Sequence, residues 1–561
     1  MTFSLRFPPR SNRIVDLSII DRSTSCMAPV SPAPRPENGR LLTVRQSLLA
    51  MLGLCFVIMM VAVDQTVVGT ALPTIVAELN GFEFYAWVAT AYLLTSVITI
   101  PIFGRLGDYF GRKPFVVAAV LLFFLSSVLC GLAQSMPQLV VARALQGIGG
   151  GMLVGTAFAC IPDLFPDAHV RLRWQVLLSS AFGIANAVGP TLGGFLTQYA
   201  GWRSVFFVNL PLGLASLYCI WRFLPHIRHI QQTNIRLDWQ GAVLVALGLT
   251  SLQVVVELLP RHGASFIVIL LACATVLMFA CLIRWEKRCP HPLIPIDMFR
   301  NKSLAALFFL SLLVGFILFA LLFYIPLLLQ GGFGLNPRQV GLLITPMVVC
   351  ITLGSIVSAR VMPRLRRPNN MLYAGFFSLS VACAGMASMD PSTPRLLVVV
   401  YMMLAGVGLG FIMPNLTIFA QETAGRSLLG ISTAMLQSVR MIGGMLGTAI
   451  VGTLITHYYV SGVRKSVPQG QGASWMAVLE DPQVLVNHAK QSDFMAQLLR
   501  DGLNGIPFIE HARISLVDAI HLGVAMALGV AVLGLFWVYR LPLVRLTRVG
   551  TDTAVKAAAN D

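Results

Sequence analysis

The sequence has 561 residues, of which 56% are hydrophobic and only 11% charged. Soluble domains carry about 25% charged residues, and disordered chains combine low hydrophobicity with high net charge, so both classes are excluded. A mean hydropathy of +0.78 makes the bilayer the main solvent and a polytopic membrane protein the expectation. The net charge of +17 has to be read from where the charges lie before any nucleic-acid partner is inferred.

In chain order, residues 1–45 form a polar, Pro-rich tail with seven arginines and no apolar core, so a cleavable secretory signal is not expected. Met27 offers a second start within it. Apolar runs then recur. A span needs about 20 residues at 1.5 Å rise to cross hydrocarbon. Spans are predicted at 46–71, 84–104, 114–134, 138–160, 174–199, 204–224, 239–259 and 264–284, then at 303–329, 338–359, 370–389, 395–418, 428–457 and 516–540. They should be helices, because backbone groups find no water in the bilayer.

Fourteen spans put both termini on one side. With the N-terminus inside and span-end residues counted with the adjoining segment, 29 of the 40 lysines and arginines fall inside and 9 outside, leaving Arg143 and Arg440 within spans. That asymmetry predicts cytoplasmic termini and accounts for the basic balance through the anionic inner leaflet, with no nucleic acid. The ten cysteines include no CxxC pair and read as small core hydrophobes. Histidines 457, 511 and 521 are too scattered for a metal site. There is no nucleophile–base constellation and no GxxxxGK[ST] loop, so neither enzyme chemistry nor ATP binding is expected.

An internal repeat is visible. Arg143-Ala-Leu-Gln-Gly147-Ile-Gly149-Gly-Gly151 aligns with Met402-Met-Leu-Ala-Gly406-Val-Gly408-Leu-Gly410, and Gly104–Arg112 with Ala359–Arg367. The expected organisation is a six-helix half over 46–224 and a linker over 225–302 carrying two inserted helices. A second half over 303–540 includes an outer loop at 458–515, and a cytoplasmic tail over 541–561 follows. Parallel repeats around a cavity are a secondary-transporter architecture.

Between spans 2 and 3 lies Gly104-Arg105-Leu-Gly-Asp108-Tyr-Phe-Gly111-Arg112-Lys113. It reads as a tight inner turn in which Asp108 can cap a helix start. This string resembles the major facilitator superfamily. Asp64–Pro73, the Arg143 string, Gly183-Ile-Ala-Asn186-Ala-Val-Gly189-Pro190-Thr-Leu-Gly193-Gly194 and Gly201–Gly213 narrow the likeness. Together they are similar, over 46–540, to the fourteen-helix drug:proton antiporters of the EmrB/QacA type. That resemblance implies an all-α major facilitator fold in the cytoplasmic (inner) membrane. It implies export of small lipophilic molecules in exchange for protons, with the proton gradient and no cofactor as the energy source. It also implies that Gly183–Gly194 gate the cavity. Whether a periplasmic adaptor and an outer-membrane channel cooperate is left open, and a specific metabolite is the alternative cargo. The sequence departs from the family at Gly69, at Met441 and in the second copy of the inner motif, which has no Asp.

Asp64 lies deep in span 1, where an acid is expensive and functional by default. Counting along straight helices puts Asp64 roughly 24 Å and Arg143 about 22 Å from the inner face. An Asp balanced by Arg at one depth could couple protons, as the resemblance implies, or form a static ion pair. Arg440 sits in span 13 with no acid in spans 9–13; it glues the half or meets substrate. Glu257, near the outer end of span 7, is interfacial or a second cavity acid. With Asp64 the one deep acid of the N half, a dication would lack a second desolvated partner. A dicationic substrate is therefore expected to be exported more slowly than its monocationic analogue in vesicle efflux assays; equal rates would overturn this.

Overall fold

Backbone amides without water partners must bond within their own segment, and the described residues of the computed structural model are helical accordingly. It describes residues 44–157, 160, 164, 168–225, 238–262, 265–289, 297–424, 429–466, 476, 478–500 and 505–541. Most of both predicted tails, and the side chains of Arg105, Asp108 and Glu257, lie outside the described residues.

The first half comprises α1 (Val44–Leu79), α2 (Tyr85–Phe110), α3 (Arg112–Gly131), α4 (Met136–Ala157), α5 (Ala168–Ala200) and α6 (Arg203–Phe223). An inserted pair follows, α7 (Trp239–His262) and α8 (Phe266–Glu286). The second half comprises α9 (Lys302–Leu327), α10 (Pro337–Val361), α11 (Asn370–Met386), α12 (Arg395–Ala424), α13 (Leu429–Ser466) and α14 (Ile506–Tyr539). Twelve described helices are long and apolar enough to cross a membrane. The other two predicted spans fall on α5 and on α11, which at 17 residues is at the short end of spanning length.

The pairings of the first half recur eight helices later. α1 packs on α5 and α6, α2 and α3 on α4, and α3 on α6; α9 packs on α13 and α14, α10 and α11 on α12, and α11 on α14. Close approach is set by the repeated glycines. A Cβ on Gly147 or Gly151 would run into Tyr92 O and Ser96 O of α2, and one on Gly149 into Phe123 of α3. Their partners Gly406 and Gly410 face Met347 O and Ile351 O of α10, while Gly408 faces Gly375 O of α11. Small residues let helix backbones approach where lipid supplies no hydrophobic drive.

The halves meet through α5 and α10, α2 and α13, and α1 and α9. Hydrogen bonds fasten this seam towards the ends where α1 leads into α2 and α9 into α10. Tyr85 donates to Phe323 O at 2.7 Å, and the Thr191 and Thr345 hydroxyls are 2.5 Å apart. A π-helical turn at Leu328–Gly332 extends α9. From it the buried Gln330 donates to Thr70 O at 2.8 Å and accepts from the Thr74 hydroxyl at 3.1 Å.

Two local readings are corrected. The inner motif is not a loop: α2 continues through Asp108 to Phe110, and the chain breaks only at Gly111, φ 88°. That left-handed value suits glycine, so one residue turns the corner that ten were expected to share. Asp108 is therefore inside a helix, and the N-cap of α3 is Gly111 with no side-chain cap. The outer loop is also shorter than expected, because α13 runs to Ser466 and α14 starts at Ile506. Between them a cap helix at His488–Arg500 buries Phe494 and Leu498, and Tyr459 donates to Leu479 O at 2.7 Å. Within this cap the Asp481 carboxyl is pushed up from its ordinary value, chiefly by burial.

On α5, a Cβ at Gly194 would lie 2.3 Å from Pro337 O across the seam, whereas one at Gly529 on α14 meets nothing within 4 Å. Gly194→Val should lower stability by about 1–3 kcal/mol through overpacking, and Gly529→Val should stay within about 0.5 kcal/mol. Thermal unfolding in detergent checks both.

Candidate functional site: a buried carboxylate held by four helices

α1 brings Asp64 into the middle of the first half, where it is 1% exposed. Arg143 of α4 donates to its Oδ2 at 2.7 Å. Gln146, one turn along the same face of α4, donates to Oδ1 at 2.8 Å, and Asn209 of α6 donates to that oxygen at 3.1 Å. Ser127 of α3 accepts from Gln146 at 2.8 Å and from Asn209 at 3.2 Å. Arg143, also 1% exposed, donates through Nε to Val88 O at 3.2 Å and through Nη1 to Gln146 Oε1 at 2.6 Å. Its guanidinium lies 4.4 Å from the Tyr92 ring centre.

Each donor answers a specific cost. A carboxylate in a low-dielectric interior is tolerated when paired and when its remaining lone pairs are filled. Here one cation and two amides do this. The guanidinium is satisfied in turn by a carbonyl, an amide oxygen and an aromatic face.

The structure thus brings together Asp64 and Arg143, as the depth arithmetic anticipated. Gln146 and Asn209 were present in the quoted strings without a role; the available signal was a lone amide inside an apolar span, at i+3 from Arg143 in the first case. Ser127 and Tyr92 gave no such signal.

The other singled-out residues lie elsewhere. Arg440 is on α13 and donates to Gln437 Oε1 one turn earlier, so a neutral amide oxygen meets its charge. Its carbonyl abuts Gly315 of α9. Glu257 is on α7, its side chain outside the described residues. On α5, Gly189 faces the Thr66 hydroxyl and Gly193 faces Thr70 and Val67 O, both on α1; Gly183 and Gly194 face Thr352 and Pro337 on α10. Pro190 O approaches Gly341, and Asn186 donates to Phe182 O at 3.0 Å. In the inner motif, Gly104 faces Gly155 O of α4, while Arg112 and Lys113 open α3.

A two-halved helical bundle with a buried charged centre in one half defines a membrane transporter rather than an enzyme. The family model described as Major Facilitator Superfamily matches residues 54–448, and the chain belongs to that superfamily. Multidrug resistance protein 3 of Bacillus subtilis (strain 168) is 30% identical over 455 residues, covering 80% of this chain and 88% of that protein. The Tetracenomycin C resistance and export protein of Streptomyces glaucescens is 30% identical over 400 residues, covering 71% and 74%. Among solved structures, an inward-facing, unoccupied bacterial homologue of the human lysosomal transporter Spinster superposes with TM-score 0.61 at 15% identity. That match covers 90% of this chain and all of the other, and it speaks for the fold.

Removing one partner of a buried pair leaves an uncompensated charge, at about 3–5 kcal/mol. Arg143→Ala should therefore destabilise strongly. Arg143→Lys should destabilise less, keeping the charge but losing the bond to Val88 O. The double variant Asp64→Asn/Arg143→Gln should recover most of the loss. Melting temperatures of the purified proteins test this order; a double variant as unstable as Arg143→Ala would contradict it.

Proposed function

We propose that this chain is a proton-coupled antiporter that exports amphipathic small molecules across the cytoplasmic membrane by alternating access, with fourteen spanning helices and both termini in the cytoplasm. The observation that carries the reading is the buried Asp64 with its Arg143, Gln146 and Asn209 donors. An ionisable group at this depth, on the axis of one half, is expensive unless the protein uses it. The names of relatives as a multidrug resistance protein and an antibiotic export protein support the cargo class.

With the proton absent, the carboxylate ties α1 to α4 and α6. Protonation cancels the charge and removes acceptor sites, leaving Arg143 on Val88 O, Gln146 and the Tyr92 ring. The same helix α1 carries Thr70 and Thr74, which Gln330 of the second half clamps at the outer end. These lie within about three turns of Asp64, so a proton at Asp64 acts on the rod that holds the outer closure. The Gly183–Gly194 face of α5, between α1 and α10, supplies a surface without side chains along which the halves rock. The inner motif Gly104–Lys113, with Gly111 as its corner, sits where the inner ends separate. Cargo and proton compete for the open cavity, and the inward proton gradient drives export.

Asp64→Asn keeps the size of the side chain and one acceptor oxygen but cannot carry the proton. In proteoliposomes with an imposed pH gradient it should lose gradient-driven transport, by about 100-fold or more, an effect in the range that removal of a protonating group produces. It should still insert and fold, at lower stability, because Arg143 loses its counter-charge. Full retention of gradient-driven transport would refute the coupling role.

A further inference from the structure

A cavity of about 1080 Å³ lies at the outer end of the seam between the halves. Its wall is built from the start of α2, the outer part of α13, Tyr324 of α9, Glu480 of the cap and Gln253 of the inserted helix α7. α7 packs on α2 and α13 together, and so closes the side of this space. The volume matches the upper range of drug-sized sites, about 300–1,000 Å³.

The lining specifies a ligand chemistry. Gln253 is 1% exposed, and its Nε2 donates to the Thr90 hydroxyl at 3.4 Å. That hydroxyl spends its own hydrogen on Ala86 O at 3.0 Å, so it can only accept from Gln253. The amide orientation is thereby fixed, and Oε1 is a buried acceptor without a protein partner. A buried acceptor left unsatisfied costs about 1–3 kcal/mol. The rings of Tyr85 and Tyr324 stack with centroids 5.5 Å apart, and their hydroxyls donate to Phe323 O and Thr448 O. They therefore offer the cavity hydrocarbon surface. The charged rim is balanced: Glu83 and Glu480 face Arg464 and Lys465, and Arg464 grips Glu480 with bonds of 2.6 and 3.2 Å.

We propose that this cavity binds neutral amphipathic molecules with an aromatic frame and an N–H or O–H donor, which Gln253 Oε1 accepts. The inserted pair thereby contributes a recognition residue to the two repeated halves. Its place as a release-side site rests on the exporter reading; the binding itself does not. Phosphatidylethanolamine headgroups carry the same donor chemistry and are the other source of it.

The test uses the full chain in phosphatidylcholine nanodiscs, whose headgroups carry no N–H donor, and no pH gradient. Fluorescence anisotropy would follow 7-amino-4-methylcoumarin and its 7-dimethylamino analogue, which differ in the donor. The native chain should bind the amino probe about tenfold more tightly, the worth of one neutral hydrogen bond. Gln253→Leu should erase that preference and leave the dimethylamino affinity unchanged. Thr453→Trp, which places an indole in the cavity, should weaken both probes. A preference that survives Gln253→Leu, no preference in the native chain, or Thr453→Trp without effect would overturn the site. Displacement of the amino probe by phosphatidylethanolamine would overturn its assignment to a small-molecule cargo. Because no gradient is applied, loss of proton-driven export would leave these outcomes intact.

Discussion

The bond between Asp64 and Arg143 is the constraint around which the first half is arranged. Two charges taken out of water repay their desolvation only when geometry is good and every remaining lone pair is filled. That requirement explains why α4 and α6 contribute polar groups to α1, and why α3 supplies a hydroxyl that holds those groups in place. Ser127, Gln146 and Asn209 are the conditions under which a carboxylate can be 1% exposed. It also explains the close approach of α4 to α2. With Gly147 and Gly151 against α2, the helices come near enough for the Arg143 Nε to reach Val88 O.

The two halves share packing but not chemistry. Gly406, Gly408 and Gly410 meet α10 and α11 as Gly147, Gly149 and Gly151 meet α2 and α3. Yet Met402 stands where the aligned first half has Arg143, and no acid occurs in spans 9–13. The intramembrane cation of the second half, Arg440, is met by the neutral Gln437 of its own helix. Duplication kept the contact surfaces and left the ionisable pair in one copy. The helix that carries Asp64 also bonds to the second half at the seam, where Gln330 bonds to Thr70 and Thr74.

What was legible in the sequence follows from how large each signal is. The spans and the repeat were visible because hydropathy and glycine spacing recur over hundreds of residues. Asp64 and Arg143 were visible because a charge in hydrocarbon is rare, and helix rise alone places the two at one depth. Gln146 and Asn209 were not assigned, since a neutral amide in an apolar run is a much weaker anomaly than a charge. The inner motif was misread as a loop because glycines and charges mark turns in water. Here α2 continues to Phe110 and Gly111 alone supplies the left-handed corner. The cavity beside Gln253 was invisible, because its wall comes from α2, α7, α9, α13 and the cap, far apart in the chain.

The inserted pair makes physical sense in the same terms. α8 is the least buried of the twelve spanning helices, with 17% of its apolar window inside the protein, and it packs on α7. It is a helix facing lipid. α7 instead touches α2 of one half and α13 of the other, across one of the surfaces where the halves meet. Where α7 begins and α8 finishes, the pair is held to itself: Asp238 Oδ1 accepts from Trp285 and from Gly241 N, each at 2.7 Å. A hairpin closed at its base and resting on both halves cannot follow both when they rotate in opposite senses. Under the alternating access we propose, α7 would have to slide on α2 or on α13, and either movement would change the wall of the space that Gln253 lines.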